Sequence, residues 1–553
     1  APSCTFSAAD AGFVLRLSDH RAESDAAFSV EAVRKADNAL ACTPAFGNAA
    51  RQLQFGCRYL APASGGRSVR LDEQALNAAG SALAACGTRT LTANFDGNGV
   101  ARFVLRYADV GRVAVDASYS GSAADGNPGL LMLGSVSAVA APQDFEFSEL
   151  PAGARTAGLP FGVAIRARNV AGATTPNFAL EGETLSLTHR RHSPTAAGAV
   201  DGSLSVGAPV LNAGTLRYAT VAWSEVGRID LDARLSSASY LGSGFDVQGS
   251  TGAAGALGPF RPNHLRLLAS EACGSFSYAG QPFQVMVSAR NAADALTLNY
   301  FHAGVGTSYA RDLSFSDGGA PALGLGSLAP TTLAASAFSA GEASTALSYA
   351  FTSKASGPGT LSLRVSDADG VSSAAFAGAE DSMALRSGRL LLQSAVGSAQ
   401  RPLSMGLRLE HWRTGAWALT SDDACTAPSA AAWSAALAQS GRVSSSGAAT
   451  SAWSTPVQAV SLASGLGFVR LAAPTPSGSG ALDVAINLGS AATDRACLAA
   501  RPASTGLGLP WLRSRQGSIH GCGTREDSDP SARASFGVAP GHSANKIHER
   551  SVD

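Results

Sequence analysis

Four closely spaced acid pairs are the first residues here that could do chemistry: Asp230/Asp232, Asp367/Asp369, Asp422/Asp423 and Asp527/Asp529. A glycosidase needs two carboxyls facing one another across a cleft, and carboxyls this close in sequence do not by themselves supply two walls. Two Asp-Gly segments suggest a hard cation instead. In Asn94-Phe-Asp-Gly-Asn-Gly99 and Asp367-Ala-Asp-Gly370, the residues Asp96, Asn98, Asp367 and Asp369 offer oxygens at alternating positions, as a calcium loop does. Neither segment carries the downstream Glu that completes such a loop, and Asp-Gly and Asn-Gly favour tight turns unaided. His189 and His192, in THRRHS, read as part of a polar loop. Trp412, Trp417 and Trp511 could form a sugar-stacking platform or fill space within and between domains. The sequence has no nucleophile elbow, no HExxH and no glycine-rich phosphate loop ahead of a helix. The expectation is a protein that is not an enzyme and has no cofactor beyond a possible calcium ion.

The eight cysteines are the other chemically active set: Cys4, Cys42, Cys57, Cys86, Cys273, Cys425, Cys497 and Cys522. The count is even, no two form CxxC, and no histidine follows at finger-like spacing, so disulfides in an oxidising compartment are expected rather than zinc. Four cysteines allow three connectivities. In the first 86 residues the favoured one joins Cys42 to Cys57 across a short loop and Cys4 to Cys86 by elimination. Cys497–Cys522 is the local choice further on, which leaves Cys273–Cys425 as a staple between domains.

The elements that must position these residues repeat. Pro282 to Phe301, PFQVMVSARNAADALTLNYF, has a near copy at Pro160 to Ala179, PFGVAIRARNVAGATTPNFA. Phe161/Phe283, Asn169/Asn291, Asn177/Asn299 and Phe178/Tyr300 are each 122 positions apart, and Phe28 to Phe46 is a fainter third copy. Apolar residues alternate with polar ones, so Phe161, Val163 and Ile165, and likewise Phe283, Val285 and Val287, should face a core from a strand. Asn169 to Gly172 supplies a turn, which predicts an opening hairpin. A closing hairpin is predicted at Arg102 to Tyr119 around the turn Ala108-Asp-Val-Gly111. It returns at Val221 to Leu235, where Tyr107/Trp223, Gly111/Gly227 and Asp116/Asp232 are 116 apart. A looser version ends at Val365. The acid of the DVG and EVG turns reads as exposed. Pro142 and Pro262 mark junctions.

Length and composition agree with several β-domains in series. The chain has 553 residues, too many for one core, with 15% charged residues and a formal net charge of zero. Neutrality argues against nucleic acid or an anionic membrane as partner, and no apolar run is long enough to span a bilayer. The opening APSCTF would suit a mature N-terminus after signal cleavage. Only Ala430 to Ser440 reads as a short helix. The expected architecture is all-β: immunoglobulin-like sandwiches at 1–138, 139–259 and 260–386, then a C-terminal all-β domain of different pattern at 387–553.

Taken in order, these motifs resemble a known family. The PFxVxVxAxNA…TxNY stretch at 282–300, YADVG at 107–111, WSEVG at 223–227 and GPFRPNHL at 258–265 belong to the set. So do GRLLL…LEHW…DDACT from Gly388 to Thr426, LPWL at 509–512 and DPSARASFGV at 529–538. Together they resemble the large bacterial surface domain of MshQ-type proteins, associated with the mannose-sensitive haemagglutinin type IV pilus. The resemblance implies a secreted, non-enzymatic structural or adhesive protein on the surface of a Gram-negative bacterium. It would tip or decorate a surface filament, with filament subunits and host or surface glycans as partners. The alternative is a secreted carbohydrate-binding or polysaccharide-processing protein on the same sandwich scaffold.

Overall fold

Alternation of apolar and polar residues becomes strand after strand with one buried face. The computed structural model describes residues 11–36, 42–63, 66–77, 86–302, 308–490, 504–515 and 527–537. They form two compact units that meet in sequence at Arg261 and Pro262, and each unit contains two β-sandwiches. Phe161, Val163, Ile165, Phe283, Val285 and Val287 are all buried, as the period of two requires.

All four sandwiches share one strand order. In the first, one sheet runs Ala11–Leu17, Ala26–Lys35, Val100–Tyr107, Val69–Leu71 and then the short Gln74–Ala75. The other runs His20–Arg21, Leu131–Ala141, Gly111–Ser120, Ala49–Ala61, Thr88–Phe95. The first strand is thus split between sheets. Its opening half pairs antiparallel with Ala26–Lys35, and its closing half pairs parallel with the last strand of the domain. The same parallel pairing occurs at Arg155–Thr156 with Leu257–Arg261, at Ser277–Tyr278 with Asp381–Arg386, and at Ala395–Gly397 with Ser531–Phe536. This two-sheet, all-β arrangement is an immunoglobulin-like sandwich. The fourth domain, expected to differ, has the same order: Gly388–Leu392, Leu403–Arg413, Leu466–Leu471, Val457–Ala463 against Ala395–Gly397, Ser531–Phe536, Gly480–Ile486, Leu437–Ser444.

Three local expectations are corrected. The stretch after Phe161–Arg168 is not the second arm of a hairpin. It makes one bridge, Arg168↔Thr174, and Phe161–Arg168 instead pairs with Asp144–Ser148 and Thr215–Trp223. Nor is there a closing hairpin, because Val100–Tyr107 and Gly111–Ser120 lie in opposite sheets. The DVG turn carries the chain across the sandwich, and buried Val110 and Val226 pin its two copies. The glycine is obligatory: Gly111 has φ +128°, and a Cβ there would stand 2.3 Å from Ala61 O. Gly227 repeats this with φ +137° and 2.2 Å to Ser193 O. Finally, the helix is only Ala430–Ala436, capped by the Ser429 side chain accepting from Ala432 N; the next residue opens the strand Leu437–Ser444.

Candidate functional site at the domain joints

Connections between consecutive sandwiches are very short. Leu131–Ala141 and Asp144–Ser148 are separated by Pro142 and Gln143 alone, and Asp381–Arg386 and Gly388–Leu392 by Ser387 alone. What fills the two intra-unit joints is therefore side-chain chemistry.

In the first unit the joint is built on Asp109, the acid of the DVG turn, which is fully buried rather than exposed. Its Oδ1 accepts from Val110 N at 2.9 Å and from Asn177 N, in the second sandwich, at 3.1 Å. Its Oδ2 accepts from Arg67 N at 3.1 Å. Asn177 then donates through Nδ2 to the Tyr107 hydroxyl at 3.0 Å, and Asn169 Nδ2 donates to Ala108 O at 3.0 Å. Both asparagines are repeat positions, and both are buried. Val170 N donates to Ala22 O, and Arg112 donates to Leu241 O at 3.0 Å. Arg21 donates to Pro142 O and lies 4.6 Å over the Phe245 ring. One hydrophobic core runs through both sandwiches, from Phe13 and Tyr107 to Phe178, Tyr240 and Phe260.

Burial raises the Asp109 carboxyl above the usual range, although three amides partly offset it, and raises the Tyr107 phenol far more. Beside them Tyr240 donates to Glu181 Oε1 at 2.6 Å, and burial pushes Glu181 up to about 7. Glu181 Oε2 has no hydrogen-bond partner among the described residues. No sequence signal marked Glu181 or Tyr240. Asp109 did have one: an acid before Val-Gly in both copies, misread as a solvated turn residue.

In the second unit the joint between the third and fourth sandwiches is covalent. Cys273 is bonded to Cys425, with Cα atoms 4.9 Å apart across 152 residues, as expected from the sequence. Tyr278 donates to Asp423 Oδ2 at 2.8 Å, and Arg386 pairs with Asp422 at 2.8 Å while lying 4.0 Å over Phe276. Cys273, Phe276 and Tyr278 share a core with Leu390, Leu409 and Leu512.

The other predicted residues fall elsewhere. Cys57 pairs with Cys86, at a Cα separation of 5.2 Å, which overturns the expected Cys42–Cys57 and Cys4–Cys86 pairs. Cys57 points inward beside Phe55, and Cys86 lies just ahead of the strand paired with Ala49–Ala61, so the bridge ties neighbours that sequence distance had hidden. Cys42 is also disulfide-bonded, while Cys4, Cys497 and Cys522 lie outside the described residues. Asp96 Oδ1 accepts from Asn98 N and Val100 N, and Oδ2 takes Arg102 at 2.8 Å. Asp367 Oδ1 likewise accepts from Asp369 N and Val371 N, Oδ2 accepts from the Tyr300 hydroxyl, and Asp369 holds Arg311. The two segments belong to different units; Asp96 and Asp367 are engaged by turn amides, and Asp369 by Arg311. His189 and His192 lie on the strand Leu185–Ser193, not a loop. His189 bonds Asp201 O and His192 stands 3.6 Å from Asp230, so they do not converge. Asp230 and Asp232 both face Arg190. Trp412 and Trp417 pack edge to face at 5.5 Å with Arg389 over Trp417. No helix among the described residues is long and apolar enough to cross a membrane.

Comparison with known proteins agrees with the repeated sandwich. Residues 1–135 match the family described as "Domain of unknown function (DUF6701), first Ig-like domain", residues 225–386 its third domain and residues 386–550 its fourth. No curated protein matches in sequence. Similar solved structures include invasin, a bacterial integrin-binding protein, at 12% identity, 86% of this chain, 76% of that chain and a TM-score of 0.27. The Yersinia pseudotuberculosis adhesin InvE matches at 14% identity over 44% of this chain and 58% of its own, with a TM-score of 0.20. A C-terminal fragment of intimin, solved with the translocated intimin receptor's intimin-binding domain, matches at 12% identity, 47% of this chain, 68% of its own and 0.20. Likeness at this level says nothing about ligand or partner.

Proposed function

We propose that this chain, which belongs to the DUF6701 family through its first, third and fourth domains, is a non-enzymatic structural and adhesive protein displayed outside a bacterial cell. The observation that carries the reading is the pair of joints. One is a fully buried carboxylate bridging two sandwiches, the other a disulfide closing 152 residues. Linkers of one or two residues leave the sandwiches of a unit little freedom. Such joints hold successive domains in fixed order, which a displayed module needs and a lone catalytic pocket does not. Paired cysteines suit an oxidising compartment. The finer assignment, to a filament of the type IV pilus kind in a Gram-negative organism, is supported by the resemblance to MshQ-type proteins. Filament subunits and surface glycans are the partners this reading implies.

Fractionation and immunogold labelling of intact cells test it. Label on surface filaments, with altered filaments or adhesion on deletion, is expected. Label confined to the cytoplasm or periplasm with filaments unchanged overturns it, and turnover of a polysaccharide by the purified chain would favour the processing alternative.

A further inference from the structure

The first sandwich has an outer sheet face whose chemistry the joints do not use. Ala49–Ala61 is a long strand next to the edge strand of that sheet, paired on both sides, with Gly56 near its centre. Glycine weakens a strand interior and needs a reason to be there. Here packing supplies none. A Cβ on Gly56 would meet only Gly87 O and Thr88 Cγ2, both at an ordinary 3.5 Å, and the backbone is not in the left-handed region. What the missing side chain does is open a depression between Asp116 on one neighbouring strand and Thr88 on the other, its register partners. The depression has a volume of about 660 Å³, within the ~300–1,000 Å³ common for small-molecule sites.

The polar part of its lining is made of hydroxyls, an amide and one carboxylate, from Thr88, Ser118, Ser135, Gln54 and Asp116, with Gln54 Nε2 donating to Thr88 Oγ1 at 3.3 Å; Leu133, Ala117 and the Cys57–Cys86 bridge supply the apolar part. Leu133 is 61% exposed, and Leu131 next to it on that face is 56% exposed. Asp116 is gripped side-on by Arg58, with Oδ2 at 2.8 Å from Nε and Oδ1 at 2.9 Å from an Nη that also reaches Ser135 Oγ at 3.1 Å. The ion pair cancels the site's charge and still presents donor and acceptor side by side. A vicinal diol, which donates one hydroxyl and accepts with the other, matches that pattern. The Cys57–Cys86 bridge fixes the wall that carries Gly87 and Thr88 against the floor. A charged ligand would meet no net countercharge, and a flat apolar partner would strand the amide and hydroxyls.

We infer that this depression is a binding site for a neutral saccharide, with Asp116, Gln54, Ser118 and Thr88 reading hydroxyls and Leu133 covering a C–H face of the sugar. The inference rests on the adhesive reading above and gives it a ligand class. The test is calorimetric titration of the full chain with maltotriose, cellotriose and chitotriose, together with a printed array of neutral glycans. Saturable binding to at least one is expected. Gly56→Gln, which fills the depression where a Cβ is tolerated, should weaken it tenfold or more with the thermal midpoint unchanged. Gln54→Ala, on the exposed face, should weaken it severalfold and serves if the first variant folds poorly. No saturable binding to any probe, or equal binding by both variants, overturns the inference. So does a wild-type dimer that Gly56→Gln dissolves, since the face would then be a contact between copies. Because binding is read on purified chain, its failure is separable from failure of the surface-display reading, which cell labelling alone decides.

Discussion

Replacing Asp109 by alanine tests the joint most directly. The carboxylate accepts from three backbone amides, Val110 and Asn177 on one oxygen and Arg67 on the other, with no solvent exposure. Alanine leaves two buried donors, Val110 N and Asn177 N, and the half-buried Arg67 N without a partner, at about 1–3 kcal/mol each. Part of that is returned, because burial disfavours the charged carboxylate in the first place. The net loss should be about 4 kcal/mol, which lowers the melting temperature of the first unit by roughly 8–16 °C at ~2–4 °C per kcal/mol. Asparagine in the same place keeps one acceptor oxygen for Val110 and Asn177 and turns its NH₂ toward Arg67 N, so only one bond is lost and the cost falls to about 1–2 kcal/mol. Differential scanning calorimetry of the full chain reads both. The ordering matters as much as the size: alanine worse than asparagine, asparagine worse than wild type. An alanine variant within about 1 kcal/mol of wild type, or one that asparagine equals, would refute the idea that these three bonds hold the joint.

Three further outcomes are expected. Replacing Cys273 and Cys425 together by serine should destabilise the second unit by up to about 5 kcal/mol, against roughly 3–4 for Cys57 and Cys86 in the first, because the closed segments are 152 and 29 residues; equal losses in urea unfolding would contradict the loop-length argument. Glu181 is pushed up to about 7 from 4.5, so its contribution is fully present below pH ~4.5 and is lost as pH rises through 7. The first unit should thus be up to about 3 kcal/mol less stable at pH 8 than at pH 4.5 from this group, and Glu181→Gln should flatten that slope in denaturant titrations; an unchanged slope counts against it. Asp96→Ala should lower the melting temperature of the first unit through lost turn bonds, with or without millimolar calcium. A calcium-induced rise in melting temperature that the variant abolishes would support a cation at this turn.

The strands were legible because their physics is local. Phe161, Val163 and Ile165 declare a buried face by period alone, and the 122-residue offset copies that face to Phe283, Val285 and Val287. Which strands pair was not legible, because consecutive strands around DVG go to different sheets and nothing in ten residues of alternation distinguishes a hairpin from a crossing. The fourth domain kept the strand order of the others without their motifs, so periodicity showed its strands and not its kinship. Asp109 was misplaced because an acid in a glycine-containing turn is usually solvated; its burial depends on Asn177, 68 residues away in another sandwich. The Cys57–Cys86 bridge was missed for the same kind of reason, since sheet register brought the two together and sequence distance did not.

The parallel pairing of each sandwich's split first strand with its last strand bears on what happens when the chain is pulled from its ends. In the first sandwich His20 sits opposite Ala140 and Arg21 opposite Ala141, and both strands run the same way. Tension draws the first strand backward and the last strand forward, so the two slide along each other instead of peeling apart. Every bond between them is then loaded at once, whereas an antiparallel pair pulled from its open end would yield one bond at a time. All four sandwiches repeat this clasp at the point where the chain enters and leaves. Under shear flow each domain therefore resists at its terminal strands first, and the core behind them is reached only after that clasp has broken.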